Sequence, residues 1–218
     1  MEKQNYQAKM EEQIASLKGT PKLLLHACCA PCSSYVLSLL SKHFLITLFY
    51  YNPNITQEKE FEKRYQELEQ LIQKIPHQNP IFLIKGEYEP KTFLELAKPY
   101  QEEKEGGKRC YLCYKQRLEK TATIAKEEHF DYFTTTLSIS PYKKADWINE
   151  IGRDLEKTYQ VSYLYADFKK KDGYKKSILL SNQYHLYRQD YCGCLYSKKE
   201  REEYVKKNQC QKISSHSA

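Results

Sequence analysis

The sequence predicts an α/β protein: a parallel sheet with helices on both faces, followed by a C-terminal part made of helices and loops. Two observations support this fold class. Short apolar runs that are typical of buried strands alternate with segments whose apolar residues recur every three or four positions. Strands that alternate with helices form parallel sheets covered on both faces. After residue 168 this alternation stops, which predicts the C-terminal extension.

The elements follow one another in a regular order. The predicted strands cover residues 22–27, 44–51, 81–84, 131–138 and 161–166. The predicted helices between them cover residues 33–41, 57–75, 92–97, 113–128 and 145–159. In the extension, a helix is predicted at 177–184, and Ser197 with Glu200 forms a capping-box pattern that predicts the start of a last charged helix.

A chain of 218 residues provides one substantial core, so we expect a single domain over residues 1–218. Within it we distinguish a polar leader (1–20), an α/β core (21–168) and a C-terminal part (169–218) that completes the functional site. No apolar run approaches the roughly 18 residues of a membrane span, and the polar N-terminus does not resemble a signal peptide. We therefore expect a cytoplasmic protein without a membrane partner.

Cysteine is the residue type that points to a function. Seven of the eight cysteines form three tight groups, and only Cys210 stands apart. The groups are Cys28-Cys29-Ala30-Pro31-Cys32, Cys110-Tyr111-Leu112-Cys113 and Cys192-Gly193-Cys194. In a reducing compartment, clustered thiols are more often metal ligands or redox catalysts than structural disulfides.

The first two groups are candidates for a shared metal centre. Cys28 and Cys29 follow the first predicted strand, and ligands of open α/β sheets bind beyond the carboxyl ends of the strands. Cys110 and Cys113 come from a different connection. Together they make a four-thiolate set that suits tetrahedral zinc or a 4Fe–4S cluster. Spacing does not decide between the two, although adjacent cysteines are unusual for zinc and favour iron–sulfur.

The remaining cysteines leave alternatives open. Cys192 and Cys194 can close only a small, strained disulfide ring, which favours a thiol/disulfide relay; further metal ligands or a buried turn are the alternatives. Cys32 is either a ligand of a second metal or a small buried thiol. His26 lies in the strand beside Cys28, where a core histidine is more probable than a ligand.

Five segments, in order along residues 21–204, resemble the epoxyqueuosine reductases of the QueH type. They are Leu-Leu-His-Ala-Cys-Cys-Ala-Pro-Cys (24–32), Arg-Cys-Tyr-Leu-Cys-Tyr (109–114), Thr-Thr-Leu-Ser-Ile-Ser-Pro-Tyr-Lys (135–143), Asp-Phe-Lys-Lys-Lys-Asp-Gly-Tyr-Lys-Lys-Ser (167–177) and Leu-Tyr-Arg-Gln-Asp-Tyr-Cys-Gly-Cys (186–194). The resemblance implies a HUP-like fold, similar to adenine-nucleotide hydrolases and PP-loop proteins. It also implies an oxidoreductase that reduces the epoxide of epoxyqueuosine to queuosine at the tRNA wobble position without cobalamin.

The resemblance further implies roles for the cysteines. Cys28, Cys29, Cys110 and Cys113 correspond to ligands of a 4Fe–4S cluster, and Cys192 with Cys194 to a redox-active pair. An additional mononuclear iron next to the cluster is an option that the resemblance raises, with Cys32 as a candidate ligand. The external electron donor is not identified by the sequence.

The implied RNA partner agrees with the composition. The formal net charge is +7, and many of the 20 tyrosines lie beside lysine. Basic and aromatic side chains together hold phosphates and stack on unpaired bases. The substrate-binding candidates are Lys143, Lys171, Tyr174, Lys175 and Arg188, for each of which a solvated surface role is the alternative.

Two other functions remain open from the sequence. One is a zinc-stabilised RNA-binding module whose cysteines are purely structural. The other is a different cluster-dependent tRNA-modifying enzyme, for example one that uses ATP. The absence of a Ser-Gly-Gly phosphate loop weighs against an ATP-dependent enzyme.

Overall fold

The protein contains a five-stranded sheet in which every strand pairing is parallel. The computed structural model describes the backbone of residues 4–214 and the side chains of residues 4–208, so the side chain of Cys210 lies outside the described part. The strands are β1 Lys22–His26, β2 Leu45–Tyr50, β3 Ile81–Lys85, β4 Tyr132–Thr135 and β5 Ser162–Tyr163. Their order is β3-β2-β1-β4-β5. The predicted parallel sheet is confirmed.

Helices cover both faces of this sheet. They are α1 Tyr6–Ala15, α2 Ala30–Leu40, α3 Glu58–Lys74, α4 Pro90–Ala97, α5 Lys108–Glu127, α6 Ala145–Tyr159, α7 Gly173–Gln183 and α8 Leu195–Ser214. Strand β1 is buried on both sides, as in sheets of this class. Its Leu23 and Leu25 pack in the cluster that contains residues of α2 and α3. Leu24 packs in a second cluster with residues of α5 and α6. The predicted fold class, including the HUP-like arrangement and the helical C-terminal extension, is therefore confirmed.

Helix α1 lies in the segment that the sequence analysis treats as a polar leader. Its Met10 is buried in the core, and the amide of Gln13 reaches the sheet edge. Gln13 Nε2 donates to the carbonyl of Tyr163 at 2.9 Å, and Gln13 Oε1 accepts from the amide of Tyr165 at 3.0 Å. A side-chain amide thus satisfies backbone groups in edge strand β5 and just after it that would otherwise lack a partner.

Several helix starts differ from the prediction, and two differences concern cysteines. Helix α2 starts at Ala30 with Pro31 in its first turn, where a fixed φ suits the helix, so Cys32 is helical. Helix α5 starts at Lys108, five residues before the predicted start, and contains both Cys110 and Cys113. Residues 136–139 form a short 3-10 helix in place of the predicted end of the fourth strand.

The predicted cap at Ser197 is wrong. Helix α8 begins at Leu195, directly after Cys194. The backbone N–H of Ser197 donates to Cys194 Sγ at 3.3 Å, and Ser197 Oγ donates to the carbonyl of Cys194 at 3.1 Å. The cysteine thus takes the capping position, which hydroxyl or carboxylate side chains usually occupy.

As for membranes, none of the described helices has both the length and the apolar character that crossing a bilayer demands.

Candidate thiol and metal site

The site lies where the strand order reverses. From β1 the chain moves outward through β2 and β3, then returns to the other side of β1 with β4. Ligand crevices of open α/β sheets form at such a switch point. Cys28 follows β1 and Thr136 follows β4. The N–H of Cys28 donates to Thr136 Oγ1 at 3.4 Å, and Thr136 Oγ1 lies 3.6 Å from Cys28 Sγ. The ends of both central strands therefore fix Cys28.

Cys28, Cys29 and Cys32 form a compact triad. Their sulfur atoms lie within 4.8 Å of one another, and the Cys28 and Cys29 sulfurs are 3.7 Å apart. Across residues 4–208, this is the one group of three or more His, Cys, Asp or Glu side chains with ligand atoms this close. Cys32 joins the triad because α2 begins early enough to include it. Three sulfurs at this spacing can share one metal ion.

The three thiols differ in acidity. Hydrogen bonds from the thiols of Cys29 and Cys32 are the main reason that the pKa of Cys28 lies well below its usual value, and the nearby Lys143 adds to this effect. The hydrogen bond between Cys29 and Cys28 is the main cause that raises the pKa of Cys29 to about 12. The pKa of Cys32 is also raised, to well above its usual value. Cys28 is therefore the most acidic thiol of the triad, and metal binding would release protons from the other two.

Cys110 and Cys113 lie on the first two turns of α5. Cys110 Sγ accepts a hydrogen bond from the N–H of Gly106 at 3.3 Å. Burial raises the pKa of Cys110, and it raises the pKa of Cys113 to about 12. The two cysteines line a small cavity of about 10 Å³ together with Cys192 and Cys194. They are not members of the triad, and the predicted set of Cys28, Cys29, Cys110 and Cys113 stays a prediction.

Cys192 and Cys194 are both free thiols in this structure. Cys192 Sγ lies 3.5 Å from Lys143 Nζ, whereas Cys194 Sγ is buried and lies 3.3 Å from Ser197 Oγ. Between them, Gly193 has a φ of +116°, and a Cβ there would lie 2.9 Å from Ile55 Cγ1. The turn therefore requires glycine. A redox-active disulfide between the two cysteines stays a prediction.

Two buried arginines beside the thiols are functional candidates that the sequence analysis missed. Arg64 is 2% exposed; its Nη1 donates to the carbonyl of Cys192 at 3.1 Å, and its Nε pairs with Glu60 at 2.7 Å. Arg117 is 1% exposed and donates from Nε to the carbonyl of Cys113 at 3.2 Å. The available signal was a charged residue in an apolar helical stripe, as with Arg64 between Phe61 and Leu68.

The charge of Arg117 has no carboxylate partner in the described part of the chain. Its Nη1 donates to Asn52 Oδ1 at 3.3 Å, and its buried Nη2 has no hydrogen-bond acceptor there. Buried cations are stable only opposite anions. Burial lowers the pKa of Lys143, but electrostatic interaction with the ionisable groups of Cys192, Tyr114 and Cys28 outweighs burial and raises that pKa well above its usual range. Thiol donors beside the unpaired positive charge of Arg117 suit an anionic metal–thiolate group.

A cavity of about 570 Å³ opens above the thiols. Cys28, Cys32 and Cys192 line it, and so do both Arg64 and Arg117. Three of the five predicted substrate-binding residues also line this cavity, namely Lys143, Tyr174 and Arg188. The other two, Lys171 and Lys175, line an adjoining groove. The cavity volume lies in the range of small-molecule sites.

His26 is a core histidine, as expected. Its Nδ1 lies 2.8 Å from Thr135 Oγ1, and its Nε2 lies 3.0 Å from the carbonyl oxygen of Tyr51. Burial, with a smaller contribution from Arg117, lowers the pKa of His26 to about 3. Both ring nitrogens are thus occupied by the fold, and the ring stays neutral.

A parallel α/β sheet with a cysteine triad and two further cysteine pairs near its carboxyl edge has the arrangement that is typical of metal-binding or redox proteins. Residues 23–200 match the family model described as Epoxyqueuosine reductase QueH, and the chain belongs to this family. It is 42% identical over 181 residues to Epoxyqueuosine reductase QueH of Staphylococcus epidermidis, covering 81% of this chain and 76% of the relative. It is 35% identical over 187 residues to the protein of that name from Thermotoga maritima, covering 83% and 92%.

Proposed function

We propose that this protein reduces the epoxide of epoxyqueuosine to the alkene of queuosine at the wobble position of a tRNA anticodon, and that it needs no cobalamin. The observation that carries this proposal is that Cys192 lines the same cavity as Cys28 and Cys32 of the cysteine triad. Family membership supplies the substrate class, and the cavity supplies a place where sulfur chemistry and a nucleoside can meet.

The reaction balances with the dithiol as the immediate reductant. Opening an epoxide to an alkene and water takes two electrons and two protons. Oxidation of the Cys192 and Cys194 thiols to a disulfide releases the same number of each, and the short Cys-Gly-Cys ring makes that disulfide easily reduced again. An external two-electron reductant, for example a dithiol, then restores the pair for the next turnover.

We propose further that Cys28, Cys29, Cys110 and Cys113 hold a 4Fe–4S cluster and that Cys32 is available to an additional mononuclear iron. The thiol-only donor set and the unpaired charge of Arg117 support a negatively charged cluster at this place. When bound, the iron centre would supply single electrons and a Lewis acid for the epoxide oxygen.

The side chains of the cavity would bind and orient the nucleoside. Lys143 Nζ lies 3.5 Å from Cys192 Sγ, which places a cation beside the proposed reductant and at the wall of the cavity. Tyr174 and Arg188 present an aromatic ring and a guanidinium to the same space. Rings and guanidinium planes stack on unpaired bases, and RNA-specific proteins read single-stranded loops in this way.

The direct test uses reconstituted protein under anaerobic conditions. It is incubated with epoxyqueuosine-containing tRNA and a chemical reductant, with cobalamin left out, and the digested nucleosides are analysed by mass spectrometry. We expect conversion of epoxyqueuosine to queuosine. Unchanged epoxyqueuosine with a fully loaded protein would refute the proposal.

The dithiol is tested by the double variant Cys192→Ser with Cys194→Ser. We expect the visible absorbance of the cluster to remain, while conversion falls at least about a hundredfold, the first equivalent included, because the immediate reductant is missing. The variant Cys210→Ser, outside the three cysteine groups, is the matched control and should turn over like the wild type. Normal multiple turnover by the double variant would exclude the relay.

Colour and metal content separate the proposal from a zinc-stabilised RNA-binding module. Protein purified without oxygen should be brown and contain iron and sulfide. A colourless, zinc-containing protein that binds RNA without changing it would support the module instead.

A further inference from the structure

A second cavity of about 1260 Å³ lies beside the first, and the two share Tyr142, Lys143 and Tyr174 as lining residues. The start of α1, including Asn5 and Gln7, forms part of its lining. The chain around the turn at residues 167–175 contributes another part. We call this cavity the lysine groove, after its six lysines Lys143, Lys144, Lys169, Lys170, Lys171 and Lys175. Helix α1 precedes the residues that match the family model, so part of the groove is formed by chain outside that match.

The groove carries more positive than negative charge. Four carboxylates line it against the six lysines, and these are Glu105, Asp146, Asp167 and Asp172. Asp167 pairs with Lys169 at 2.7 Å, and Asp172 pairs with Lys175 at 3.1 Å. Lys170 has no carboxylate within salt-bridge distance in the part of the chain that the structure describes. A surplus of exposed ammonium groups attracts polyanions.

The backbone holds the lysine-bearing turn in a defined shape. Lys171 and Asp172 both have left-handed backbone conformations, with φ of 49° and 60°. The N–H of Gly173 donates to the carbonyl of Lys170 at 2.9 Å, and a Cβ on Gly173 would lie 1.9 Å from the carbonyl oxygen of Phe168. An ion pair between Lys171 and Glu11 connects the turn to α1. The charges of the groove are therefore placed before a ligand arrives.

We propose that the lysine groove binds the phosphodiester backbone of the RNA strand next to the nucleoside that occupies the 570 Å³ cavity. This inference rests on the proposed function, because it takes the nucleoside to be part of an RNA chain. The continuity of the two cavities fits a polymer better than a single phosphate. Tyr142, 73% exposed at their junction, offers its ring to a neighbouring unpaired base.

The binding test uses a fluorescein-labelled anticodon stem-loop RNA without the epoxide and the cluster-loaded protein, and it measures fluorescence anisotropy from 0.05 to about 0.3 M salt. Removing one phosphate contact lowers affinity about fourfold at 0.15 M salt and the slope of log K against log salt by about 0.7. The triple variant Lys170→Gln, Lys171→Gln, Lys175→Gln should bind about fiftyfold more weakly.

The matched control removes three lysines elsewhere. Lys74, Lys126 and Lys157 are exposed in the last turns of α3, α5 and α6, at the opposite end of the sheet. Their triple replacement by Gln has the same net charge as the groove variant and should change RNA affinity less than twofold. Equal losses in the two triple variants would show that overall charge, and not the groove, attracts RNA, and this result would overturn the proposal.

Two acidic positions distinguish electrostatics from structure. Glu11→Gln breaks the ion pair with Lys171, and Asp172→Asn breaks the ion pair with Lys175. Both variants keep the positive charge of the lysine. Asn is well suited to the left-handed backbone at position 172. If the groove binds phosphates, both variants should bind RNA about two- to fourfold more tightly. Weaker binding would mean that the ion pairs act by holding the turn, and would overturn the proposal.

Failure of the groove and failure of the proposed function give different results. The stem-loop carries no epoxide, so its binding does not depend on the reduction. If the enzyme is active and its triple groove variant binds RNA normally, the proposed RNA binding by the lysine groove is refuted and the proposed function is not. With epoxyqueuosine tRNA, we expect the triple variant to show a raised KM and an unchanged kcat.

Discussion

The guanidinium of Arg64 donates a hydrogen bond to the carbonyl oxygen of Cys192 across 3.1 Å, and it also lies 3.4 Å from the carbonyl of Tyr191. Helix α3 thereby holds the Cys-Gly-Cys turn from inside the protein. Glu60, one helical turn before Arg64, pairs with the guanidinium and accepts a hydrogen bond from the hydroxyl of Tyr187. The backbone at Tyr191 and Cys192, at the start of the turn, is thus held by a side chain of a regular helix.

Replacing Arg64 by Met should loosen this turn. The change removes the donors to both carbonyls and leaves the mostly buried carboxylate of Glu60 unpaired, so we expect the free energy of unfolding to fall by about 3 kcal/mol. Urea denaturation measures the loss, and mass spectrometry of iodoacetamide-treated protein should show faster labelling of Cys192. Arg153→Met, at a pair that is 50% exposed, is the control and should cost under about 0.5 kcal/mol. Equal stabilities of the two variants would contradict this role for Arg64.

A comparison of Gly193 with Gly19 separates two contributions to stability, namely the backbone conformation and the packing around the Cys-Gly-Cys turn. Both have a positive φ, of 116° and 72°, but only at Gly193 would a Cβ meet another atom, at 2.9 Å from Ile55 Cγ1. Gly19→Ala should cost about 1 kcal/mol for the backbone conformation alone. Gly193→Ala should cost about 2 kcal/mol more, because the neighbouring side chain must move. Thermal denaturation compares the two; equal losses would show that the packing around Gly193 yields without cost.

Arg117 should have opposite effects in the metal-free and metal-loaded protein. Without a bound anion, the buried charge of Arg117 destabilises the folded protein. Arg117→Met should therefore leave the free energy of unfolding unchanged or raise it by about 1 kcal/mol. With the cluster bound, the same variant should lose iron to a chelator about ten times faster, because a stabilising charge next to the ligands is gone. Bleaching of the visible absorbance follows this loss. Identical bleaching rates in the wild type and in Arg117→Met would show that Arg117 does not stabilise a bound metal.

The buried His26 should make the folded protein less stable in acid. Its pKa in the folded protein is about 3, while that of an unfolded histidine is about 6.5. Between these values the unfolded chain binds a proton that the folded protein does not. The free energy of unfolding of the reduced, metal-free protein should therefore decrease as the pH falls from about 6.5, by up to about 1.4 kcal/mol per unit for this residue.

The variant His26→Gln should remove this contribution and flatten the dependence on pH below about 6.5. The slope is compared rather than the absolute stability, since the replacement itself disturbs the contacts with Thr135 and Tyr51. His77→Gln, at an exposed position, should keep the slope of the wild type. An unchanged slope in His26→Gln would show that other groups cause the acid sensitivity.

Local sequence patterns predicted those parts of the fold that depend on local composition. The strand at 22–27 and the helix at 57–75 have continuous apolar runs or stripes, and both were found within one or two residues. Helix α1 was missed because its sequence is polar and only Met10 is fully buried. Its place depends on contacts with residues 150 positions away, such as Gln13 with Tyr163, and no local pattern contains them.

The candidate site was predictable to the extent that its chemistry is visible in residue types. Three cysteine groups indicated sulfur chemistry, and the first was correctly placed after β1. The sequence did not reveal that Cys32 would lie closer to Cys28 and Cys29 than Cys110 and Cys113 do, because this depends on where α2 and α5 begin. Arg64 and Arg117 were missed because arginine on a helix is normally solvated.

The two edges of the sheet are protected unequally. At β5, the amide of Gln13 is hydrogen-bonded to the carbonyl of Tyr163 and the N–H of Tyr165, backbone groups that an added strand would need. At β3, by contrast, Phe82 and Ile84 remain exposed to solvent. Polymerisation through strand pairing requires two open edges per molecule, and among the described residues the β5 edge is the one whose backbone groups a side-chain amide occupies. The short N-terminal helix α1 therefore protects one edge of the sheet against the addition of a strand from another molecule.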